Sequence, residues 1–169
     1  MPINIEIKAR CNKPEFIQTV LTEKGAIFKG IDHQIDTYFN VTAGRLKLRE
    51  GNIENHLIHY HRSNQTGPKK STVSLYKTQP ATNLKSILTD AIGVKVVVDK
   101  QRAIYYIDNV KFHIDVVAQL GNFVEIEAID TDGSISEAAL QAQCANYMQL
   151  FKILPADLVA QSYSDLLSA

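Results

Sequence analysis

Basic side chains recur at every second position in one short segment, where Arg45, Lys47 and Arg49 alternate with Leu46 and Leu48. Side chains on a β-strand point alternately to its two faces, so the three cations share one face of a predicted strand. Like charges about 7 Å apart on one face repel each other unless they are screened or neutralised. The spacing is typical either of a solvated outer strand face or of a surface that binds a polyanion.

The same alternation recurs in other segments, with cations in some and carboxylates in others. Further cations stand at Lys8, Arg10, Arg62, Lys69, Lys70, Lys77, Lys100 and Arg102. Carboxylates stand at Glu6, Asp115, Glu125 and Glu127. For any one strand a solvated face is the better interpretation, but the recurrence favours a shared interior in which the two signs neutralise each other. Guanidinium groups bind phosphate oxygens in pairs, and carboxylates suit Mg²⁺ or Mn²⁺, so the set predicts a site for a metal-bound polyanion.

The composition is that of an ordinary globular protein and limits the function classes. The 169 residues are 45% apolar, and 18 Lys and Arg balance 18 Asp and Glu. A balanced charge argues against a nucleic-acid or membrane partner, since such proteins usually carry a basic excess. The sequence shows no apolar stretch long enough for a signal peptide or a membrane span, and its two cysteines, Cys11 and Cys144, are best interpreted as reduced thiols. We therefore expect a cytoplasmic protein.

Eight strands and several helices are predicted from the periodicity. The strands cover 4–10, 33–39, 45–50, 55–62, 71–77, 94–107, 110–117 and 123–129, and residues 63–71 form a polar loop. One helix begins at Pro14 and extends to the apolar Ile27, a second covers 83–92, a third follows Ser134, and a last one begins at Pro155. Neighbouring antiparallel strands in this number favour a closed eight-stranded barrel with flanking helices, an α+β fold in one domain over residues 1–169.

Several motifs in this order resemble the CYTH superfamily, the triphosphate tunnel metalloenzymes. Asn4–Lys8 is similar to the family's Glu-x-Glu-x-Lys signature. The supporting stretches are Asp36–Phe39, Gly44–Arg49, Lys100–Arg102, His113–Asp115, Gly121–Glu127 and Ser162–Leu167. Each motif is weak by itself, but the ordered set covers nearly the whole chain and is specific.

The resemblance implies a polar barrel tunnel that binds a triphosphate (ATP, tripolyphosphate or thiamine triphosphate) and the cofactor Mg²⁺ or Mn²⁺. The triphosphate would contact Lys8, Arg10, Arg45, Lys47, Arg49, Arg62, Lys70, Lys100 and Arg102, of which Lys8, Arg49 and Arg102 would be catalytic. The metal would be held by Glu6, Asp115, Glu125 and Glu127. The chain looks most like the class IV adenylyl cyclase branch, with an inorganic or thiamine triphosphatase as the alternative. Cyclase-like relatives often form dimers, so a homodimer is compatible with the resemblance.

One position departs from the family signature. The first glutamate of the signature is Asn4 in this chain, so the site has one negative charge fewer where a metal is expected. A third hypothesis follows, in which the chain is a non-catalytic module that binds a nucleotide or polyphosphate.

Overall fold

Eight antiparallel strands close into a ring in the computed structural model, which describes residues 3–168. In chain order they are β1 (Ile3–Arg10), β2 (Ile27–Phe39), β3 (Arg45–Glu50), β4 (Asn55–Arg62), β5 (Lys69–Lys77), β6 (Val94–Ile107), β7 (Val110–Val117) and β8 (Gly121–Asp130). Around the ring the order is β1-β5-β4-β3-β2-β6-β7-β8, and β8 pairs with β1 to close it. The predicted α+β fold with a closed eight-stranded sheet is confirmed.

Four helices lie outside the ring. They are α1 (Pro14–Glu23), α2 (Leu84–Ile92), α3 (Glu137–Leu150) and α4 (Tyr163–Ser168), with one 3₁₀ turn at Pro155–Asp157. The helix α3 begins where the Ser136 hydroxyl accepts a hydrogen bond from the Ala139 amide at 3.1 Å, a common N-terminal cap. Among the described residues, no helix is long and apolar enough to cross a membrane.

The apolar faces of β1, β7 and β8 point out of the ring and are covered by α1 and α3. Ile5 and Ile7 of β1 lie in one buried cluster with Leu21 of α1 and with Leu140 and Cys144 of α3. Because side chains alternate along a strand, the polar residues between these isoleucines must face the interior of the ring. The helices therefore supply the hydrophobic core, which leaves the inside of the barrel free for charged groups.

Two predicted helix boundaries are wrong. Ile27 is not the last turn of the first helix, because α1 ends at Glu23 and Ile27 begins β2. The last helix does not begin at Pro155 either, since Pro155–Asp157 is a single 3₁₀ turn. The chain is extended immediately after that turn, where Leu158 pairs with Ala9 and the Val159 amide donates to the Lys8 carbonyl at 2.9 Å.

Three strands begin earlier than their patterns indicate. β8 begins at Gly121 rather than at residue 123, because Gly121 and Asn122 of the predicted turn pair with β7. β2 begins at Ile27 rather than at residue 33, and a bulge between Phe28 and Gly30 breaks the alternation on which the prediction depends. β5 begins at Lys69, inside the predicted loop, because Lys69 and Lys70 pair with Glu6 and Ile5 of β1. The early starts of β2 and β5 come from pairing with strands that are distant in sequence.

Candidate active site

The interior of the ring is a cavity of about 140 Å³ lined mainly by charged side chains. Six of the predicted phosphate-binding cations line it: Lys8, Lys47, Arg49, Arg62, Lys100 and Arg102. Three of the predicted metal ligands also line it: Glu6, Glu125 and Glu127. The structure thus brings residues from strands far apart in sequence into one polar tunnel.

Asp36 of β2 holds three of these cations. Its carboxylate is 1% exposed and accepts two hydrogen bonds from Arg49, both at 2.9 Å. Lys100 Nζ lies 2.7 Å from Asp36 Oδ2, and Lys47 Nζ lies 3.4 Å from the same oxygen. Burial would raise the pKa of Asp36, but Arg49 and Lys100 outweigh it and hold that pKa well below its usual range. The carboxylate is therefore a fixed anion that pairs with and positions Lys47, Arg49 and Lys100.

Asp115 likewise pairs with and positions Arg102. The two residues form a bidentate pair with both contacts at 2.8 Å, and the Tyr163 hydroxyl donates to Asp115 Oδ2 at 2.7 Å. Asp115 is fully buried and, within the described chain, is not among the residues that line the cavity. The structure therefore places this predicted metal ligand behind Arg102 rather than at the surface of the tunnel.

Three predicted phosphate ligands also lie away from the cavity lining. Arg10 is exposed and lies over the Phe123 ring at 5.1 Å, because β1 ends there. The guanidinium of Arg45 pairs with Asp165 at 2.7 Å beside α4. Lys70 is exposed and points outward, with its Nζ 3.5 Å from Glu137 of α3. The neighbouring Lys69 instead points inward, because successive strand residues face opposite sides.

The carboxylates of β1 and β8 lie close to one another. Glu6 and Glu127 are directly paired across these strands, as are Lys8 and Glu125. Burial, reinforced by Glu6 and Glu125, raises the pKa of Glu127 to about 7, although Lys111 opposes the shift. Glu6 lies in close contact with Arg62. Burial would raise the pKa of Glu125, but Lys8 outweighs it and holds that pKa below its ordinary range, so Glu127 is the carboxylate of these three whose charge lacks compensation.

The family comparison agrees with this geometry. The family model described as "CYTH domain" matches residues 2–163, which is nearly the whole chain. The chain belongs to the CYTH domain family. No protein of curated function matches it in sequence.

Solved structures show the same fold at low sequence identity. The PH1012 protein of Pyrococcus horikoshii OT3 is 24% identical with a TM-score of 0.79, covering 96% of this chain and 98% of its own. A candidate adenylate cyclase from Vibrio parahaemolyticus is 18% identical with a TM-score of 0.74, covering 99% and 98%. HpAC1 from Hippeastrum, a candidate adenylyl cyclase described as having a dominant triphosphatase activity, is 14% identical with a TM-score of 0.63, covering 99% and 94%.

In this CYTH domain the departure at Asn4 has a structural consequence. The Asn4 amide donates a hydrogen bond to Glu127 Oε1 at 2.9 Å. A glutamate at this position would face Glu127 with a second negative charge instead of a donor. Asn4 therefore takes over part of the neutralisation that a cation could otherwise provide.

The carboxylates fit a divalent cation that shares its ligands with a substrate. Within residues 3–168, no group of three or more His, Cys, Asp or Glu side chains is arranged to hold a metal ion unaided. Mg²⁺, however, usually takes one or two carboxylates together with substrate phosphates. Glu6 and Glu127 are paired across β1 and β8, where Glu6 contacts Arg62 and burial leaves the ionised form of Glu127 in need of compensation. A cation bound by these two groups and by phosphate oxygens would supply it.

Sequence reasoning missed several residues of the tunnel. Lys111 and His113 alternate with Asp115 on β7, so the same period-two spacing could have identified them. His113 is 2% exposed, neither ring nitrogen has a hydrogen-bond partner, and burial lowers its pKa to about 4, which keeps it neutral. Glu54 and Tyr163 come from segments outside the strands, and no pattern predicts that they enter the tunnel.

The buried lysines are poised to respond to an anion. Burial lowers the pKa of Lys8 and of Lys100 to about 7 and the pKa of Lys69 to about 8. Lys8 Nζ donates to the Gln161 carbonyl at 3.2 Å and Lys69 Nζ to the Ala160 carbonyl at 2.6 Å. These neutral contacts satisfy the ammonium groups only in part, so a phosphate ligand would favour their charged form.

Proposed function

We propose that this CYTH domain is a metal-dependent enzyme that acts on a triphosphate held in its tunnel. The activity favoured is that of a class IV adenylyl cyclase, which converts ATP to cyclic AMP and pyrophosphate. The observation that carries the proposal is the lining itself, with seven Lys and Arg side chains against four Glu. Such a concentration of cationic donors on the tunnel surface, fixed from behind by Asp36 and Asp115, suits a polyanion. A core without a ligand would be more stable with apolar side chains.

Different residues of the tunnel would bind and position the phosphates and the metal ion. Arg49, Lys47 and Lys100 would hold phosphate oxygens, since Asp36 fixes them from the wall and accepts only some of their N–H groups. Arg102, fixed by Asp115, and Lys8 would hold the phosphates nearer to β8. Phosphoryl and nucleotidyl transfer depend chiefly on such positioning and on charge stabilisation. Mg²⁺ or Mn²⁺, held by Glu6 and Glu127 with Glu125 nearby, would add Lewis-acid polarisation of the phosphate oxygens.

Apolar residues in the same cavity support a nucleoside triphosphate. Ile58, Val73 and Leu75 line the wall formed by β4 and β5, next to the buried rings of Tyr38 and Tyr60. Inorganic polyphosphate offers nothing for these groups to contact, whereas a nucleoside does. Cyclisation then requires the ribose 3′-hydroxyl to attack the α-phosphorus, with pyrophosphate leaving.

Hydrolysis of an inorganic or thiamine triphosphate is the second candidate. It is supported by the likeness to HpAC1, whose description gives a dominant triphosphatase activity. In that reaction water attacks the terminal phosphorus and orthophosphate leaves. The same clamp serves both reactions, which differ in the phosphorus that is aligned for attack.

Product analysis separates the hypotheses. The pure protein is incubated with ATP, tripolyphosphate or thiamine triphosphate, each with Mg²⁺, with Mn²⁺ and with EDTA. Cyclic AMP from ATP supports the cyclase, and orthophosphate from any of the three supports the triphosphatase. Binding without turnover would identify a non-catalytic module and contradict the enzymatic proposal. Arg102→Ala serves as the control for contaminating activity, since genuine turnover should fall at least about 100-fold without this group.

The setting and assembly of the enzyme complete the proposal. We place it in the cytoplasm, where the two free and buried cysteines, Cys11 and Cys144, would stay reduced. A homodimer is the assembly that we expect, and sedimentation equilibrium would test it.

A further inference from the structure

The tunnel is bounded at both ends by different parts of the chain. Strand β3 runs from Arg45, which pairs with Asp165 of α4, to Glu50, which is followed by the hairpin of residues 51–54. The helix α4 and this hairpin therefore lie at opposite ends of the tunnel. The hairpin carries Glu54, whose side chain is 13% exposed and lines the cavity.

Glu54 forms ion pairs with two cations that would otherwise be available to a ligand. Its Oε1 lies 3.3 Å from Arg49 NH1, and its Oε2 is in close contact with Lys111 Nζ. Burial would raise the pKa of Glu54, but Lys111 and Arg49 outweigh it and hold that pKa below its ordinary range. The chain therefore keeps a permanent carboxylate at this end of the tunnel, in a position where a ligand phosphate could lie.

The hairpin holds Glu54 rigidly without using its side chain. The buried carboxylate of Asp32 accepts hydrogen bonds from the Ile53 and Glu54 amides, both at 2.9 Å. A side chain at Gly51 would place its Cβ 2.6 Å from Asp32 Oδ1, so only glycine allows this close approach. Because Asp32 fixes the loop through its backbone, the Glu54 carboxylate can extend into the tunnel, where Gln34 Nε2 also donates to its Oε1 at 3.1 Å.

Arg49 does not depend on Glu54 for its position either. Asp36 already binds Arg49 through Nε and NH2, which leaves NH1 for the contact with Glu54. Arg49 NH1 and Lys111 Nζ are thus donors that Glu54 withdraws from any bound polyphosphate.

We propose that Glu54 is a specificity-determining end stop, which keeps any phosphate beyond the bound triphosphate away from Arg49 and Lys111. The geometry points to this role because Glu54 takes the place of a further phosphate on Arg49 and Lys111, while α4 bounds the other end. A fourth phosphate would have to compete with a carboxylate that the hairpin holds in place. This inference rests on the proposed function, since it supposes that the tunnel binds a triphosphate.

Calorimetric titration with inorganic tripolyphosphate and tetrapolyphosphate tests the end stop. The variants are Glu54→Gln, which keeps the shape of the side chain, and Glu137→Gln, a control that removes a carboxylate from the exterior pair with Lys70. Titrations in EDTA block turnover under the metal-dependent proposal, and titrations with Mg²⁺ repeat the comparison. We expect the native protein and Glu137→Gln to bind the two ligands with affinities within about twofold. Glu54→Gln should bind tetrapolyphosphate about tenfold more tightly than tripolyphosphate, the gain of one charge-assisted contact.

The outcomes distinguish the two proposals. If the native protein does not bind tripolyphosphate with or without Mg²⁺, the proposed function fails. If it binds tripolyphosphate and Glu54→Gln keeps the native ratio, or binds both ligands more weakly, the end stop is wrong and Glu54 only supports its cations. The double variant Glu54→Gln/Lys111→Met removes the carboxylate together with Lys111, so neither charge is left buried without the other if a single change prevents folding. Without the Lys111 donor, the ratio of the two affinities should return to about one. A ratio that stays high in the double variant would also contradict the inference.

Discussion

Buried charge is compensated differently in two halves of the tunnel, a cation half around Asp36 and a carboxylate half around Glu127. In the cation half, Asp36 forms close ion pairs with Arg49 and Lys100, and its pKa is held well below the usual range. In the carboxylate half, Glu6 and Glu127 face each other, and the pKa of Glu127 is raised to about 7. Asp36 is fully ion-paired without a ligand, whereas the ionised form of Glu127 would gain from an added positive charge. This difference suits a site in which the protein supplies the phosphate clamp and the substrate brings the metal.

The largest effect should come from removing the anchor of the cation half. Asp36→Asn leaves Arg49, Lys100 and Lys47 buried without their anion, and such a change costs about 3–5 kcal/mol of unfolding free energy. Urea denaturation followed by circular dichroism measures it. Asp165→Asn, at the partly exposed pair with Arg45, is the matched control and should cost at most about 1 kcal/mol.

A ligand should partly rescue the Asp36→Asn variant. Tripolyphosphate would supply the missing negative charge, so it should stabilise this variant more than it stabilises the native protein. Equal stabilisation of both would contradict the division into two halves, because it would mean that the three cations do not face the ligand.

The next largest effect distinguishes a cation that faces the tunnel from one that faces outward. Arg49→Ala should weaken tripolyphosphate binding about 30-fold, because a charge-assisted contact is worth about 2 kcal/mol. Lys70→Ala should bind like the native protein, since Lys70 is exposed and its Nζ faces Glu137. Isothermal titration calorimetry measures both. A loss of binding in the Lys70 variant would mean that β5 pairs in a different register.

These two residues also show what the sequence can and cannot predict. Period-two spacing identifies Arg49 because its neighbours on β3 repeat the pattern over the whole strand. The choice between Lys69 and Lys70 depends on the register of β5 against β1, where Lys69 pairs with Glu6. A shift of one residue exchanges the two faces of a strand, and two adjacent lysines give no local signal for that choice.

No periodic pattern identifies the residues that enter the tunnel from outside the strands. Glu54 reaches Arg49 because Asp32, 22 positions earlier, accepts the amide hydrogen bonds of its hairpin. Tyr163 reaches Asp115 because the segment after the 3₁₀ turn pairs with the end of β1. The strands and most of the charged lining were predictable from alternation, but these long-range contacts require the folded chain.

A third prediction strengthens the carboxylate half. Asn4→Glu replaces a donor to Glu127 with a carboxylate beside it, which adds an oxygen ligand and negative charge to the proposed metal site. We expect Mn²⁺ to bind about tenfold more tightly, as measured by electron paramagnetic resonance of the free ion. Asn109→Glu is a control outside the tunnel and should leave Mn²⁺ affinity unchanged. Unchanged affinity in Asn4→Glu would indicate that the metal does not bind beside Glu127.

The smallest effect concerns the protonation of Glu127. Its pKa in the folded protein is raised to about 7, above the ordinary value of 4.5, so the folded state holds this proton more tightly than the unfolded state does. The contribution of Glu127 to stability is therefore fully present below about pH 4.5 and is lost as the pH rises through 7. Glu127→Gln removes this titration, and its unfolding free energy should fall by about 1 kcal/mol less than that of the native protein between pH 6 and 7.

Urea denaturation at several pH values measures this difference, with Glu137→Gln as the exterior control that should follow the native curve. Mn²⁺ should reduce the pH dependence of the native protein, because a bound cation compensates the ionised carboxylate. Lys8 and Lys100, whose pKa values are lowered to about 7, act in the opposite direction at higher pH, where stability should rise towards about pH 10. If Glu127→Gln shows the same pH dependence as the native protein below pH 7, then Glu127 is already compensated. In that case the charge of Glu127 would be as well compensated as the charge of Asp36.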